Sequence, residues 1–315
     1  MLDNRGRNIS YLRLSVTDRC NCRCVYCMPK DGVPMLSHDD ILSFEEMRDI
    51  VAASATLGVR KVRITGGEPL VRRGIVELVR MVAEVPGISE VDMTTNATLL
   101  APIAADLRAA GLCRLNVSLD TLDAARYRKI TRTGTLDDAI AGLRAARDAG
   151  FVGTKINCAL VGGLNDDQLR PIAELARDHA VTVRFIELMR MGECAHWPRE
   201  RFVSADEVLV QVPELERVGV DGVSELYQAP GWQGGVGLIR PMTHRFCSSC
   251  DRIRVTADGR LKPCLHSSAE VNLRGLSGEA LVDAIRSGIA SKPEGHRMDA
   301  THASDTPRAM NEIGG

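Results

Sequence analysis

The chain has 315 residues, 44% of them hydrophobic and 26% charged, a globular balance that excludes long disorder and points to one large domain with a smaller appendage. Forty Lys and Arg side chains stand against forty-one Asp and Glu, a formal charge of −1. That argues against a polybasic nucleic-acid binder while allowing a local cluster of cations around a small anion. No apolar run approaches the eighteen residues of a membrane span, and the opening MLDNRGRNIS has no basic stretch leading into an apolar core. A cytoplasmic enzyme with no membrane or nucleic-acid partner and no secretory leader is expected.

Strand-like and helix-like segments alternate from residue 9 to about 212. A strand is predicted over 10–17, then a helix over 44–57 that starts with the Ser43 and Glu46 capping-box pattern and ends at Gly58. A strand over 59–65, a helix over 74–84, a strand over 90–96, a helix over 101–110 and a strand over 113–119 follow. The next unit has helical pieces at 122–129 and 136–149, with Thr135 placed to cap the longer one and Gly150 to close it. A strand over 154–161, a helix over 167–179 and a strand over 181–188 complete the series. Six strand–helix units imply a parallel sheet with right-handed crossovers, two units short of a closed eightfold barrel. The expected fold class is α/β, a partial (β/α)6 barrel over 1–212 with a smaller C-terminal domain over 213–315.

Strand parity says more. A parallel strand covered on both sides reads as apolar throughout, yet each strand here has one polar face. These faces read Arg13, Ser15, Thr17; Lys61, Arg63, Thr65; Asp92, Thr94, Asn96; Asn116, Ser118, Asp120; Lys155, Asn157; Thr182, Arg184. The opposite faces carry Leu12, Leu14, Val62, Ile64, Leu115, Val117, Ile156, Val183 and Phe185, suited to packing under helices. A barrel interior filled with such polar groups cannot be a dry core. A wide, wet lumen holding a polar ligand is expected. The alternative, an open sheet with one solvated face, conflicts with the covered faces usual for this connectivity.

Beyond about residue 213 the chain turns rich in Gly and Pro (Pro230, Gly231, Gly234, Gly235, Gly237). A hairpin signal follows over 253–256 and 260–264, around the turn Ala257-Asp258-Gly259. A last helix at about 276–290 leads into a polar tail ending Ile313-Gly314-Gly315.

Ten cysteines is a high count, and most are grouped. Disulfides are disfavoured in a reducing cytosol, so grouped thiols read as metal or redox chemistry. Cys113 and Cys158, in apolar strands, read as core residues. Cys20, Cys24 and Cys27 form C-x3-C-x2-C directly after the first strand, with Cys22 outside the spacing. Three thiolates on one short loop can hold three irons of a [4Fe–4S] cube and leave the fourth open. A zinc site is the competing reading and lacks an obvious fourth ligand. With Tyr26, and with Thr65-Gly66-Gly67-Glu68-Pro69 at the end of the second strand, the triad resembles the radical S-adenosylmethionine superfamily. That resemblance implies an open iron chelating S-adenosylmethionine and a glycine stretch contacting its amino group, where paired glycines permit close backbone approach.

Cys247, Cys250 and Cys264 form a second triad, and the hairpin would carry Cys264 back beside the other two. On spacing alone it is divided between a cluster and zinc, because His244 or His266 could complete four ligands. The run Phe246-Cys247-Ser248-Ser249-Cys250-Asp251-Arg252-Ile253-Arg254 resembles the GTP 3′,8-cyclase family, which opens molybdenum cofactor biosynthesis. So do Thr17-Asp18-Arg19-Cys20, Arg184-Phe185-Ile186-Glu187-Leu188-Met189 and the terminal Gly314-Gly315, and the similarity covers nearly the whole chain. It implies a second [4Fe–4S] cluster in the C-terminal domain, its open iron on the guanine of GTP. It implies S-adenosylmethionine contacts at Tyr26, Gly67, Ser118 and Met189. It implies GTP contacts at Arg13, Lys61, Arg63, Thr94, Lys155, Arg184, Arg252, Ile253 and Arg254. Arg252, Arg254, Gly314 and Gly315 are implied to serve catalysis, the tail entering the lumen.

The implied reaction begins when an external one-electron reductant drives cleavage of S-adenosylmethionine to a 5′-deoxyadenosyl radical. That radical removes the ribose 3′ hydrogen of GTP, and C3′ then bonds guanine C8. GTP carries roughly four negative charges, so converging cations are needed to offset its desolvation. Arg252 and Arg254, two apart on a strand, are expected to point the same way; Arg72, Arg73 and Arg108 read as solvated surface charges. Cys22 stands where a large apolar or aromatic residue is usual in the family, Ala97 where a glycine is, and Asp251 where an Asn is. The segment before Cys247 is a few residues short. These departures bear on loop geometry, not on the reaction class. Rival readings are another two-cluster radical enzyme such as a peptide modifier, a zinc-stabilised binding module, or an electron carrier. A homodimer is left open.

Overall fold

The computed structural model describes residues 1–299 and 302–314. Six strand–helix units come first: β1 (Tyr11–Ser15) with α1 (Phe44–Thr56), β2 (Lys61–Thr65) with α2 (Ile75–Ala83), and β3 (Glu90–Thr95) with α3 (Ala104–Ala109). They continue with β4 (Arg114–Ser118), α4 (Ala124–Thr131) and α5 (Leu136–Asp148); β5 (Lys155–Leu160), α6 (Leu169–Ala173) and α7 (Leu175–Asp178); and β6 (Thr182–Glu187) with α8 (Glu207–Gln211). The caps fall where the sequence places them. Ser43 Oγ accepts the Glu46 N–H at 3.1 Å while Glu46 Oε2 accepts the Ser43 N–H at 2.8 Å, and Thr135 Oγ1 accepts the Asp138 N–H at 3.3 Å. The predicted single helix over 167–179 is two short ones, α6 and α7, which meet at Glu174.

The C-terminal segment holds more sheet than its glycines suggest. It adds β7 (Glu216–Asp221), β8 (Ser224–Gln228), β9 (Gly235–Ile239), β10 (Arg252–Val255), β11 (Arg260–Lys262) and β12 (Val271–Asn272), then α9 (Gly278–Ala290) and α10 (Met310–Ile313). All strands join one twelve-stranded sheet in the order β12-β11-β10-β1-β2-β3-β4-β5-β6-β9-β8-β7. The pairs from β10 through β1–β6 to β9 are parallel, and antiparallel hairpins continue it on both sides. The segment therefore extends both edges of the partial barrel. β9 reads as a loop because Gly237 lies within it, where a Cβ would stand 3.1 Å from Arg184 Cγ and closer still to Ser224 Oγ.

The helix-facing residues Leu12, Leu14, Val62, Ile64, Leu115, Val117, Ile156, Val183 and Phe185 are all buried in the two main apolar clusters. Each such side chain contributes about 1.5–3 kcal/mol to the fold. Cys158 is buried there as expected and Cys113 is half-buried. Arg72 is not a solvated charge. Its guanidinium donates to the Val16 and Leu42 carbonyls at 3.1 and 2.9 Å and lies over the Phe44 ring. Arg108 and Arg73 are exposed as expected, although Arg108 also donates to the Leu112 carbonyl at 3.0 Å over Phe151. A guanidinium fork finds loop carbonyls that only the folded backbone brings near.

Candidate active site

The polar strand faces meet in one cavity of about 430 Å³. Strand register arranges its wall in rows. Arg254, Arg13, Arg63 and Asp92 lie abreast on β10, β1, β2 and β3, and Arg252, Tyr11, Lys61 and Glu90 form the next row. Arg252 and Arg254 both face the cavity, whereas Ile253 between them is fully buried in the apolar core on the other face. Asp92 receives Arg63 at 2.6 Å and Lys61 at 2.7 Å. On the far strands Lys155 and Arg184 converge on Asp221, at 2.6 and 2.5 Å. Asp221 ends β7, and the Asp221-Gly222 turn into β8 is a hairpin signal the sequence reading missed.

The wall is built for an anion. Among the described residues nine Lys and Arg side chains line it against four Asp and Glu. Burial, then the charge of Arg252, pulls Arg254 down to about 10. Burial followed by Arg254 holds Arg13 well below its ordinary value. An anion would relieve both effects. Thr94 Oγ1, Asn116 Oδ1, Asn157 Oδ1, Arg184 Nε and Arg252 Nε are buried without hydrogen-bond partners, and all five residues line this cavity. Buried polar atoms are normally paired, so these fit a polar ligand. Every expected GTP contact except Ile253 lies on the wall.

The first triad sits on the loop after β1, which docks on the end of β2. Gly67 N–H donates to the Thr17 carbonyl and Glu68 N–H to the Arg19 carbonyl, each at 2.8 Å. A Cβ on Gly67 would lie 2.7 Å from the Arg19 carbonyl carbon, 2.8 Å from the Asp18 oxygen and nearer still to the Arg19 oxygen. The glycine therefore seats the cysteine loop, and it is not on the cavity wall, whereas Tyr26, Ser118 and Met189 are. Glu68 beneath it accepts the Asn96 and Leu70 N–H groups and the Thr95 hydroxyl, and burial pushes it up to about 7. Burial pushes the Cys27 thiol up to about 12 and Cys24 well above its ordinary value. Thiols so placed ionise only against a cation, which iron supplies. Cys22 is buried, its sulfur 3.4 Å from the Asn96 amide. Tyr26 donates to Asp120 Oδ2 at 2.6 Å, and burial pushes Asp120 up to about 6.

Cys247, Cys250 and Cys264 line the same cavity. Burial raises the Cys250 thiol, but Lys292 and Arg252 outweigh it and hold the thiol below its ordinary value. Of the histidines that could complete zinc, His244 is exposed and off the cavity wall, while His266 contacts Ser304 Oγ through Nδ1 at 3.1 Å. Among the described residues no three His, Cys, Asp or Glu side chains converge on a single ion. Asp251 accepts from the Ser10 hydroxyl at 3.1 Å.

The tail enters from below the first loop. Asn311 donates through Nδ2 to the Asp18 carbonyl at 3.2 Å, and its backbone N–H lies near enough to the Cys27 thiol to partly offset the effect of burial there. Gly314 reaches the polar face of the sheet, where a Cβ would lie 3.1 Å from Ser15 Cβ and closer to Thr65 Oγ1. Its carbonyl accepts from Arg254 at 2.5 Å. Arg308 anchors the tail, pairing Asp258 at 2.9 Å and Glu270 at 2.7 Å. Gly315 lies outside the described residues.

The Radical SAM superfamily matches residues 14–176, and Molybdenum Cofactor Synthesis C matches residues 181–298. The chain is 45% identical over 322 residues to a GTP 3′,8-cyclase of Peptoclostridium acidaminophilum, covering 100% of this chain and 98% of that one. It is 43% identical to the GTP 3′,8-cyclase of Alkaliphilus metalliredigens over the full length of both. Among solved structures, Streptococcus suis SuiB bound to its precursor peptide SuiA has a TM-score of 0.61 at 14% identity, covering 91% of this chain and 71% of that one. That likeness shows a shared fold.

Proposed function

From the premise that the chain belongs to the GTP 3′,8-cyclase family of the radical S-adenosylmethionine superfamily, we propose that the cavity under the polar strand faces holds both substrate and cofactor between the two cysteine triads. The reaction converts GTP to (8S)-3′,8-cyclo-7,8-dihydroguanosine 5′-triphosphate, the first step of molybdenum cofactor biosynthesis, with S-adenosylmethionine and [4Fe–4S] clusters. When bound, these cofactors supply one-electron radical chemistry at the substrate ribose.

Residues 1–212 supply the barrel and the first triad, in which Cys20, Cys24 and Cys27 ligate a cluster. Residues 213–315 supply the second cluster through Cys247, Cys250 and Cys264, together with the tail. Tyr26, Ser118 and Met189 hold S-adenosylmethionine beside the first loop. Arg13, Lys61, Arg63, Lys155 and Arg184 bind the triphosphate as charge-assisted donors, and Thr94 orients the nucleoside. Arg252 and Arg254 act at the reacting nucleotide with Gly314 and Gly315, Arg254 fixing the tail through the Gly314 carbonyl. The protein's work is positioning in a space of restricted water. A cytoplasmic setting and an external one-electron donor belong to the same reading; among the described residues no helix is long and apolar enough to cross a membrane.

The observation that carries it is a cation-rich wall with unpaired buried polar atoms, which the second triad lines and the first cysteine loop reaches through Tyr26. The test is an anaerobic reaction of reconstituted protein with GTP, S-adenosylmethionine and dithionite, read by mass spectrometry. 5′-Deoxyadenosine and a cyclic GTP isomer are expected together. Deoxyadenosine with GTP unchanged, from protein carrying both clusters, would overturn it.

A further inference from the structure

Lys292 follows α9, its backbone N–H still bonded to the Ile289 carbonyl, and its side chain runs beneath the second triad. It is 5% exposed. Its ammonium donates to the Arg252 carbonyl at 2.6 Å and to the Pro263 carbonyl at 2.7 Å, and it lines the cavity beside Cys250, whose thiol its charge holds down. One carbonyl lies two residues after Cys250 and the other directly before Cys264, so one cation ties together both chain segments that bring these cysteines. Arg7 grips the same turn from outside, donating to the Lys292, Pro293 and Glu294 carbonyls and to the Cys247 carbonyl.

No carboxylate pairs with Lys292 among the described residues, and two of its three donors are held by the carbonyls just named. A buried charge without a counter-ion is costly, and proteins pair such charges. Among the described residues, the group able to carry negative charge that it acts on is the Cys250 thiol. We infer that Lys292 is the resident counter-cation of the second triad, a positioning residue that joins the Cys250 and Cys264 segments and places positive charge against the cluster they hold. This rests on the reading of that triad as a cluster site. A cation there favours the reduced, more negative cluster and makes its open iron a better acceptor for a substrate nitrogen or oxygen.

The test uses the full chain carrying Cys24→Ser and Cys27→Ser, so that only the second triad loads. Iron, sulfide and the midpoint potential are measured anaerobically, with thermal melting as a check on folding. Absence of iron in this parent would refute the cluster reading itself, whatever Lys292 does. Given a loaded parent, Lys292→Gln is expected to lower the ratio of reduced to oxidised cluster at fixed potential by about tenfold, close to 59 mV for a one-electron couple, or to lose the cluster. Lys292→Arg is expected to restore loading and potential. A Gln variant with full iron and an unshifted midpoint overturns the inference. So does an Arg variant as defective as the Gln variant.

Discussion

Gly67→Ala separates two explanations of the paired glycines. In one they admit the cofactor's amino group; in the other they seat the cysteine loop. The added methyl would stand 2.7 Å from the Arg19 carbonyl carbon and 2.8 Å from the Asp18 oxygen, both backbone atoms that cannot rotate away. Restoring ordinary contact at about 3.5 Å requires the loop to retreat by roughly 1 Å. That retreat stretches the Gly67-to-Thr17 and Glu68-to-Arg19 bonds, both 2.8 Å. Losing two such bonds costs about 1 kcal/mol each, and overpacking a tight site adds about 1–3 kcal/mol. A total of about 3 kcal/mol corresponds to a melting shift of roughly 5–10 °C for a chain of this size. Anaerobic thermal melting of the apoprotein, with iron counting in a Cys250→Ser background that reports the first triad, is the assay. A lower melting point and reduced iron are expected. Wild-type melting and full iron, with only S-adenosylmethionine affinity weakened, would refute the seating argument.

Asp221 occupies the two cations proposed to take phosphate. One charge removed about 7 Å from a phosphate is worth about 2.4 kcal/mol at an effective dielectric of about 20, and solvent at this half-exposed carboxylate reduces that to about 1 kcal/mol. Asp221→Asn is therefore expected to lower KM for GTP about fivefold in steady-state assays, and a higher KM would mean that the carboxylate aligns Lys155 and Arg184 instead. Arg254→Met and deletion of Gly314 with Gly315 break the same contact, so each is expected to cut cyclisation about ten- to a hundredfold while S-adenosylmethionine cleavage continues, with the double variant no worse than either. Losses that multiply would show the arginine and the tail act independently. Ala97 holds φ +61° where the family usually has glycine. Ala97→Gly should stabilise by about 1 kcal/mol, and a lower melting point would refute the strain assigned there.

Strand parity makes the lumen legible in the sequence. Apolar residues at every second position demand a helix-covered face, and the polar remainder can only line an interior, which is where Arg13, Arg63, Thr94, Lys155 and Arg184 stand. The resemblance supplied the cysteine roles; parity did not. Asp221 and Lys292 were invisible for different reasons. Asp221 depends on the β7–β8 hairpin, whose partner β9 was masked by its glycines. Lys292 lies some forty residues from Cys250 in sequence, and only the packing of α9 brings it beneath that thiol. Strand alternation turns the Ile253 side chain into the core between two arginines that face the cavity, which leaves only its backbone for the contact that the family implies.

The register also sets where the two triads stand along the chamber. β1 and β10 are parallel neighbours, with Tyr11 opposite Arg252 and Arg13 opposite Arg254. The first triad leaves the C-terminal end of β1, whereas Cys247 and Cys250 enter at the N-terminal end of β10. The antiparallel return through β11, with Lys262 opposite Arg254, brings Cys264 back to that same end. The triads therefore stand at opposite ends of adjacent strands, separated by about five residues, or roughly 16 Å at about 3.3 Å per residue. The arginine rows cross that interval. A ligand meeting the second triad at one end and the first loop at the other must be elongated and anionic between them, which a nucleotide triphosphate abutting S-adenosylmethionine is and a zinc ion at either end is not. Inserting one residue in β10 would turn Arg252 and Arg254 toward the core by strand alternation, so this two-ended arrangement depends on the parallel β1–β10 register as much as on the cysteines.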